Sequence, residues 1–385
     1  MKKILSGNKS RLAGLLAFFT NGALMATWVS RIPTVQSKLG LSDGALGLVL
    51  LGLSAGMLTA LFLAGGLIVR FGSPVVTLVC ALVSCLVLPF LAIISQPIVL
   101  FAVLFVFGGG LSAMDVAMNE QAVLVERNAG RPLMSSFHAG YSIGGFAGAL
   151  LGAGMAAVAG LSTLPHFLIA AAIISGAIVF TFPHLLPTER GTGKKEPVFR
   201  LPERSLWILG AIAFCSAIGE GTMADWSGVY LTKVLNTNAA LAALGFAAFS
   251  LTMTIGRIFG DFLTRVWKPA LIVRAGGFIA ALGLLAAVLT QSPIIAIAGF
   301  AAVGVGLANI IPLLFGAASN FPGISTGAGI AGVATIGYAG FLVGPPFIGF
   351  VAEGSSLRVA LFLVALIIGT LVYSAKAISS QSKTG

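Results

Sequence analysis

The chain has 385 residues, 58% of them hydrophobic and only 9% charged, with a mean hydropathy of +1.05. Soluble domains carry roughly 25% charged residues, so the composition excludes a water-soluble globule and points to a lipid bilayer. The net charge of +11 does not indicate nucleic acid, because apolar runs repeatedly interrupt the basic residues, and phosphate-binding tracts are not built that way.

A bilayer core about 30 Å thick takes roughly 20 residues per helical span. Apolar runs predict twelve such helices, at 12–30, 44–69, 75–95, 98–124, 134–159, 162–182, 205–231, 239–264, 270–290, 293–318, 326–352 and 356–376. The first follows Lys2, Lys3 and Arg11 in the manner of a secretory signal. It continues past Asn21 to about Val29 without a small-residue cleavage pattern, so it reads as an uncleaved span. The stretch from Pro183 to Arg204 is the longest polar one and divides the chain into an N-terminal half (1–182), a linker (183–204) and a C-terminal half (205–385). Seventeen of the 22 Lys and Arg residues fall on the side of the linker, against Arg31, Lys38, Lys233 and Arg358 on the other, with Arg257 inside helix eight. That bias is the positive-inside pattern and places both termini in the cytoplasm. The expected location is a bacterial inner (plasma) membrane.

Short matches recur at nearly one offset. Met25-Ala26-Thr27-Trp28 returns as Met223-Ala224-Asp225-Trp226, Gly65 and Arg70 as Gly260 and Arg265, Gly108-x-Gly110-Leu111 as Gly304-x-Gly306-Leu307, and Gly140-Tyr141 as Gly337-Tyr338. These four, in order at 195 to 198 residues, mark an internal repeat. Six helices per repeat start each half on the same membrane side, so the halves are parallel, related by an axis along the membrane normal. This is the major facilitator arrangement, in which solute binds between the halves near mid-membrane and rocking exposes it alternately.

Ionisable groups inside the bilayer are the informative ones, since each costs roughly 2.5 to 3.5 kcal/mol at a helix centre. Asp115, Glu120, Glu220 and Asp225 qualify. Ser112, Asp115 and Asn119 form one stripe on helix four, and a carboxylate in a partly dry cavity suits proton transfer. Asp115 is the expected proton-coupling group; pairing with a neighbouring helix is its other reading. Glu120 lies nearer the helix end, within reach of Arg127 or water. Glu220, past the middle of helix seven, either couples protons, binds solute hydroxyls or a cation, or bonds a neighbouring helix. Trp28 and Trp226 serve as interface anchors or as faces on which sugar rings stack, with Asn21, Asn119, Asp225 and Asn309 supplying hydrogen bonds. His138 and Tyr141 share a face of helix five, and Tyr338 repeats Tyr141, so both tyrosines join the candidate solute contacts. Arg257 and Asp261, at i and i+4, are expected to form an ion pair that gates or clamps. Gly344-Pro345-Pro346 is expected to bend or break helix eleven.

Other chemistry lacks support. Cys80, Cys85 and Cys215 lie in apolar runs without ligand spacing, and Gly52-Leu53-Ser54-Ala55-Gly56 sits inside a helix rather than on a nucleophile turn. No phosphate loop or metal motif occurs in the sequence. The expectation is no enzyme, no cofactor and no metal, with a small-molecule solute, protons and lipid as partners and a monomeric state.

Gly65-x-Leu67 with Arg70 and Gly72 resembles the loop between helices two and three of major facilitators, and Gly260, Leu263 and Arg265 give its weaker copy. Gly65, Arg70, Arg257 and Asp261 are therefore the gating candidates. Val69 and Thr264 stand where that loop has aspartate, and Ser73-Pro74 where it has a basic pair. Asp261 with Arg257 is expected in place of the loop's charge clamp. Met25-Ala26-x-Trp28, Asp115-Val116-Ala117-x-Asn119, Glu220-Gly221 with Asp225-Trp226, and Gly337-Tyr338 through Pro346 resemble the YbjJ and MosC-like branch, related to the fucose permeases. In fucose permeases a helix-four glutamate before a similar motif is linked to proton coupling, and the resemblance sets Asp115 in its place. Val29 stands where they carry a helix-one aspartate. The reading is a proton-coupled transporter of a small polar, sugar- or polyol-like solute. A drug or metabolite exporter, or a transporter-like solute receptor, are the alternatives.

Overall fold

The computed structural model describes residues 2–130, 133–158, 162–187, 204–319, 321–322, 324 and 326–374, and for 2–7, 135, 205, 261 and 326–327 the backbone alone. Among these residues the chain is helical, without strands. The long helices are α1 (Lys2–Val29), α2 (Asp43–Phe71), α3 (Ser73–Val87), α4 (Pro97–Ala129), α5 (Met134–Ala157), α6 (Thr163–Thr181), α7 (Trp207–Lys233), α8 (Ala239–Ile258), α9 (Pro269–Leu289), α10 (Pro293–Leu307), α11 (Thr326–Gly354) and α12 (Leu357–Gly369). Most of the expected linker, 188–203, lies outside the described residues.

Local chemistry sets the ends. Proline opens α3, α4, α9 and α10 at the first turn, where its missing N–H costs nothing. Gly130, at φ 63°, closes α4 in the left-handed conformation. From the last turn of α4, the Glu126 carboxylate accepts the backbone N–H groups of Leu133 and Met134 at 2.6 and 2.9 Å and so anchors the start of α5.

Several expected helices are interrupted. Helix three stops at Val87 and resumes as Phe90–Ile93 after Pro89; helix eight stops at Ile258 and resumes as Gly260–Val266; helix ten stops at Leu307 and resumes as Ile310–Ser319. Conversely, α11 runs unbroken through Pro345 and Pro346, so the expected break there is corrected. Helix interruption follows hydrogen-bond competition here more than proline content. The Asn309 amide donates to the Gly256 carbonyl at 2.9 Å and holds the breaks of helices eight and ten together.

Eleven segments among the described residues are long and apolar enough to cross a bilayer. Helix α5 is not among them, its glycines and serines lowering its hydropathy. It is 24 residues long, about 36 Å at 1.5 Å per residue. Its contacts with α1 run in order from Gly14 with Phe137, through Phe19 with Gly144 and Ala23 with Gly148, to Ser30 with Gly152. A helix in parallel contact along the first span crosses the same thickness, and α5 is the twelfth span.

The chain falls into two compact units, Met1–Leu41 with Val49–Lys195, and Ser42–Leu48 with Glu196–Gly385. The first turns of α2 thus belong with the C-terminal unit. There Lys233 Nζ donates to Asp43 Oδ1 at 2.6 Å, and Ser42 Oγ donates to Glu353 Oε2 at 3.1 Å.

Each unit is built on the same seams. In the N-terminal unit α1 lies along α5 and α2 along α4; in the C-terminal unit α7 lies along α11 and α8 along α10. The contacts repeat residue by residue. Gly108 faces the Leu53 carbonyl, and Gly304, 196 positions on, faces that of Phe249, itself 196 beyond Leu53. Gly140 faces Leu15, and Gly337 faces Ala213. A Cβ at Gly108 or Gly304 would overlap the facing carbonyl, so the backbones approach as closely as small residues permit. The core of the N-terminal unit gathers Phe18, Ala81, Met114, Met118, Ala122, Phe137 and Ile178 from five of its helices.

Gly108→Leu and Gly304→Leu are expected to destabilise the protein by about 1–3 kcal/mol or more through overpacking. Gly65→Ala, with no neighbouring atom near its Cβ position, is expected to be neutral. Thermal unfolding of the purified variants in detergent, followed by loss of the monodisperse peak, checks both.

Candidate functional site

In the N-terminal unit the site rests on α4. Asp115 lies 18 residues past Pro97, about 27 Å along a helix about 50 Å long, and so at mid-depth. Met114 and Met118 turn into the core, whereas the Asp115 side chain is exposed. A carboxylate facing hydrocarbon at that depth would carry the penalty of a membrane charge, so a polar environment is expected around the exposed Asp115 side chain.

The expected stripe is only partly open. Ser112 is buried and Asn119 half-buried. The Asn119 amide donates to the Asp115 backbone carbonyl at 2.8 Å and to its Oδ1 at 3.3 Å, which fixes the Asp115 carboxylate along its own helix. One turn earlier, Asn21 of α1 donates to the Leu111 carbonyl at 2.9 Å. One of its two amide N–H donors thereby binds α1 to α4, and the other N–H and the carbonyl oxygen stay available. His138 is exposed and meets Phe18 edge-on, with ring centroids 5.3 Å apart. Tyr141 is half-buried beside the core.

In the C-terminal unit Glu220 of α7 and Arg257 of α8 face each other at 3.7 Å, with side chains 17% and 26% exposed. Arg257 reaches across to α7, and the Arg257 and Asp261 pairing expected from spacing falls on a side chain outside the described residues. Ser216 Oγ contacts Glu220 Oε1 at 3.4 Å. Asn309 is buried, its amide N–H engaged at Gly256, one residue before Arg257. As with Asn21, one of its two N–H donors pins neighbouring helices together.

Asp225, five residues beyond Glu220, is 7% exposed. No hydrogen bond or ion pair reaches it among the described residues. Trp28 and Trp226 are 1% and 0% exposed, and their indole N–H groups lack partners among the described residues. With no open ring face, neither tryptophan offers the stacking surface expected of it, nor does either reach a headgroup interface. Both fill the interior of their units. Tyr338 of α11, by contrast, is 40% exposed, at the level where Gly337 and Gly340 pack on Ala213 and Ala217 of α7.

Of the gating candidates, Gly65 has open space around it. Arg70 is exposed at the end of α2, its guanidinium over the adjacent Phe71 ring at 5.1 Å from the centroid. No ion pair forms at Arg70 among the described residues. Another polar group occupies the neighbourhood of that loop: Gln121, fully buried, donates to Ser73 Oγ and to the Leu186 carbonyl, each at 2.8 Å, and accepts the Leu186 N–H at 2.7 Å. A neutral amide thus ties the start of α3 to the segment after α6.

Sequence reasoning missed Gln121, the Asp43 and Lys233 pair, and the buried contact of Arg31 Nε with His166 Nδ1 at 3.0 Å. Arg31 and His166 come from segments 135 positions apart, and neither carries a spacing signal. An isolated arginine in an otherwise apolar connection was the single available hint.

No group of three or more His, Cys, Asp or Glu residues with metal-holding geometry occurs among the described residues. The arrangement offers open and paired carboxylates on two helical scaffolds but no nucleophile with an adjacent base.

Comparison with known proteins agrees with this architecture. The Major Facilitator Superfamily model matches residues 12–339. An uncharacterized MFS-type transporter of Yersinia pestis is 37% identical over 97% of both chains. The membrane protein MosC of Rhizobium meliloti is 34% identical over 96% of this chain and 89% of its own. Among solved structures, a point mutant of the nucleoside transporter NupG superposes with a TM-score of 0.79 at 13% identity, covering 96% of this chain and 99% of NupG, a likeness of fold. With twelve spans in two units that share their helix seams, a family match over most of the length and relatives above one-third identity, the chain belongs to the major facilitator superfamily of membrane transporters.

Proposed function

We propose that the protein is a proton-coupled secondary transporter of a small polar, sugar- or polyol-like solute, working by alternating access of its two six-helix halves. The observation that carries the reading is the exposed Asp115 carboxylate at mid-depth on α4, whose polar contacts among the described residues are with Asn119 on its own helix. A group with no opposing cation can take up and release a proton without breaking an ion pair. Glu220, held opposite Arg257, is less suited to that role, because losing its charge would strand the guanidinium.

Solute contacts fall to Asn119, Tyr141, Asp225 and Tyr338, with Asn21 and Asn309 contributing their amide oxygens. Gly65, Arg70 and Arg257 remain the candidates for control of access. The excess of Lys and Arg on the linker side of the sequence supports a bacterial inner membrane with both termini cytoplasmic.

Radiolabelled sugars, polyols and amines, offered to proteoliposomes with and without an imposed pH gradient, test the coupling. The wild type is expected to accumulate solute only with the gradient. Asp115→Asn is expected to lose that accumulation and its pH dependence while retaining solute exchange; driven uptake at the wild-type level in Asp115→Asn removes the assignment. Orientation has its own readout: a fluorescent-protein fusion at the C-terminus is expected to fluoresce, and an alkaline phosphatase fusion at the same place to be inactive.

A further inference from the structure

The Glu220 and Arg257 pair is looser than a clamp requires. A charge-assisted N–H to carboxylate bond closes to about 2.7–2.9 Å, and here the nearest approach is 3.7 Å. Ser216 Oγ, at 3.4 Å, is a weak companion to the other carboxylate oxygen. A carboxylate offers about four acceptor sites and a guanidinium five donors, so most of the capacity of both groups is left unused by the described residues. Both side chains are partly open, unlike the sealed Trp226 and Ser216 beside them.

The surrounding backbone is a second, independent sign. Helices eight and ten are both interrupted beside this pair, after Ile258 and after Leu307, and the Asn309 amide holds the Gly256 carbonyl at the junction. A Cβ at Gly260 would overlap the Asn309 side-chain oxygen, so the junction is closely fitted rather than frayed. The irregularity is local, since Phe259 and Ala308 keep right-handed helical angles, and it persists inside a bilayer because Asn309 satisfies the Gly256 carbonyl there. Arg257 leaves the last intact turn of α8 at that junction.

We propose that Glu220 and Arg257 together form a recognition element for a neutral polyhydroxylated solute, one hydroxyl donating to the Glu220 carboxylate while a neighbouring oxygen accepts from the Arg257 guanidinium. This rests on the reading of the chain as a transporter of a polar solute and reassigns Arg257 from gating to binding. Charge decides the solute class. The pair cancels its own charge, so a neutral polyol enters without leaving an ion uncompensated. A cation would be set beside Arg257, an anion beside Glu220, and a zwitterion would have to draw the pair apart, each against a penalty that a membrane interior enlarges.

The test uses purified full-length protein in detergent and follows thermal unfolding with mannitol, myo-inositol, D-glucose, glycine, choline chloride and sodium acetate as separate probes. At least one of the three neutral polyols is expected to raise the midpoint of the wild type and of Arg274→Lys, an exposed site elsewhere on the unit. Glycine, choline and acetate are expected to leave it unchanged. In Arg257→Lys and Glu220→Asp, which keep both charges and so the fold, the polyol concentration giving half the shift is expected to rise about ten- to hundredfold, as for loss of a hydrogen bond to a charged group. Protection undiminished in both variants, protection by choline, acetate or glycine instead of a polyol, or no protection by any probe would each overturn the proposal. Because no gradient or flux is involved, failure of proton coupling in Asp115→Asn leaves this result untouched, and the two readings fail separately.

Discussion

A bilayer supplies no hydrogen-bond partners, so every polar group within it must be answered by the protein or by a water-filled lumen. The buried hydroxyls meet this demand locally: Thr27 donates to the Ala23 carbonyl, Thr222 to Ile218 and Thr254 to Ser250, each one turn back on its own helix. The amides meet it across helices, Asn21 at Leu111 and Asn309 at Gly256. Arg31 meets it with His166, and Gln121 with Ser73 and Leu186. Once these are set aside, the indole N–H groups of Trp28 and Trp226 and a few other buried atoms stay unpartnered among the described residues, and four ionisable groups stand out. Asp115 is exposed, Asp225 is unanswered among the described residues, and Glu220 and Arg257 are answered only loosely. Function is argued from this remainder.

The same constraint explains what could be read from the sequence. Apolar runs of spanning length fixed the helices to within a few residues, because hydrocarbon thickness sets run length directly. The glycine matches at an offset near 196 revealed the repeat because close helix approach tolerates no side chain at Gly108 or Gly304. Interruptions were harder. Prolines at 345 and 346 suggested a break that does not form, while the breaks after Ile258 and Leu307 depend on Asn309 and Gly256, whose meeting is a tertiary event. Side-chain pairing was harder still. Spacing along one helix gave no hint that Glu220, from another helix, would face Arg257. Likewise, the repeated tryptophans drew attention as solute contacts, but recurrence marks packing as readily as chemistry, and both are sealed in the interior.

That last point separates the two kinds of residue in this protein. Positions that the repeat preserves are structural: Gly108 and Gly304, Gly140 and Gly337, Trp28 and Trp226. Applying the same offsets to the chemical residues gives a different outcome. Asp115 falls opposite Ile311, Glu220 opposite Gly22, Arg257 opposite Leu61 and Asn309 opposite Ala113. Every one of those counterparts is apolar or glycine. The duplicated scaffold kept its seams, since a side chain at Gly108 or Gly304 would overlap a facing carbonyl, whereas Asp115, Glu220, Arg257 and Asn309 have no polar counterpart in the other half.

The halves consequently differ in electrical character as well as in sequence. The N-terminal unit presents a single open carboxylate on a continuous helix, α4, whereas the C-terminal unit presents opposed charges beside two interrupted helices. A lone carboxylate changes its net charge when it binds or releases a proton, and a compensated pair can bind a neutral solute with no change at all. Placing these on different halves lets solute recognition proceed in either protonation state of Asp115. In the proposed mechanism, coupling would come from the effect of that one charge on alternating access, because a neutral solute held by a balanced pair exerts almost no direct electrostatic pull on a proton.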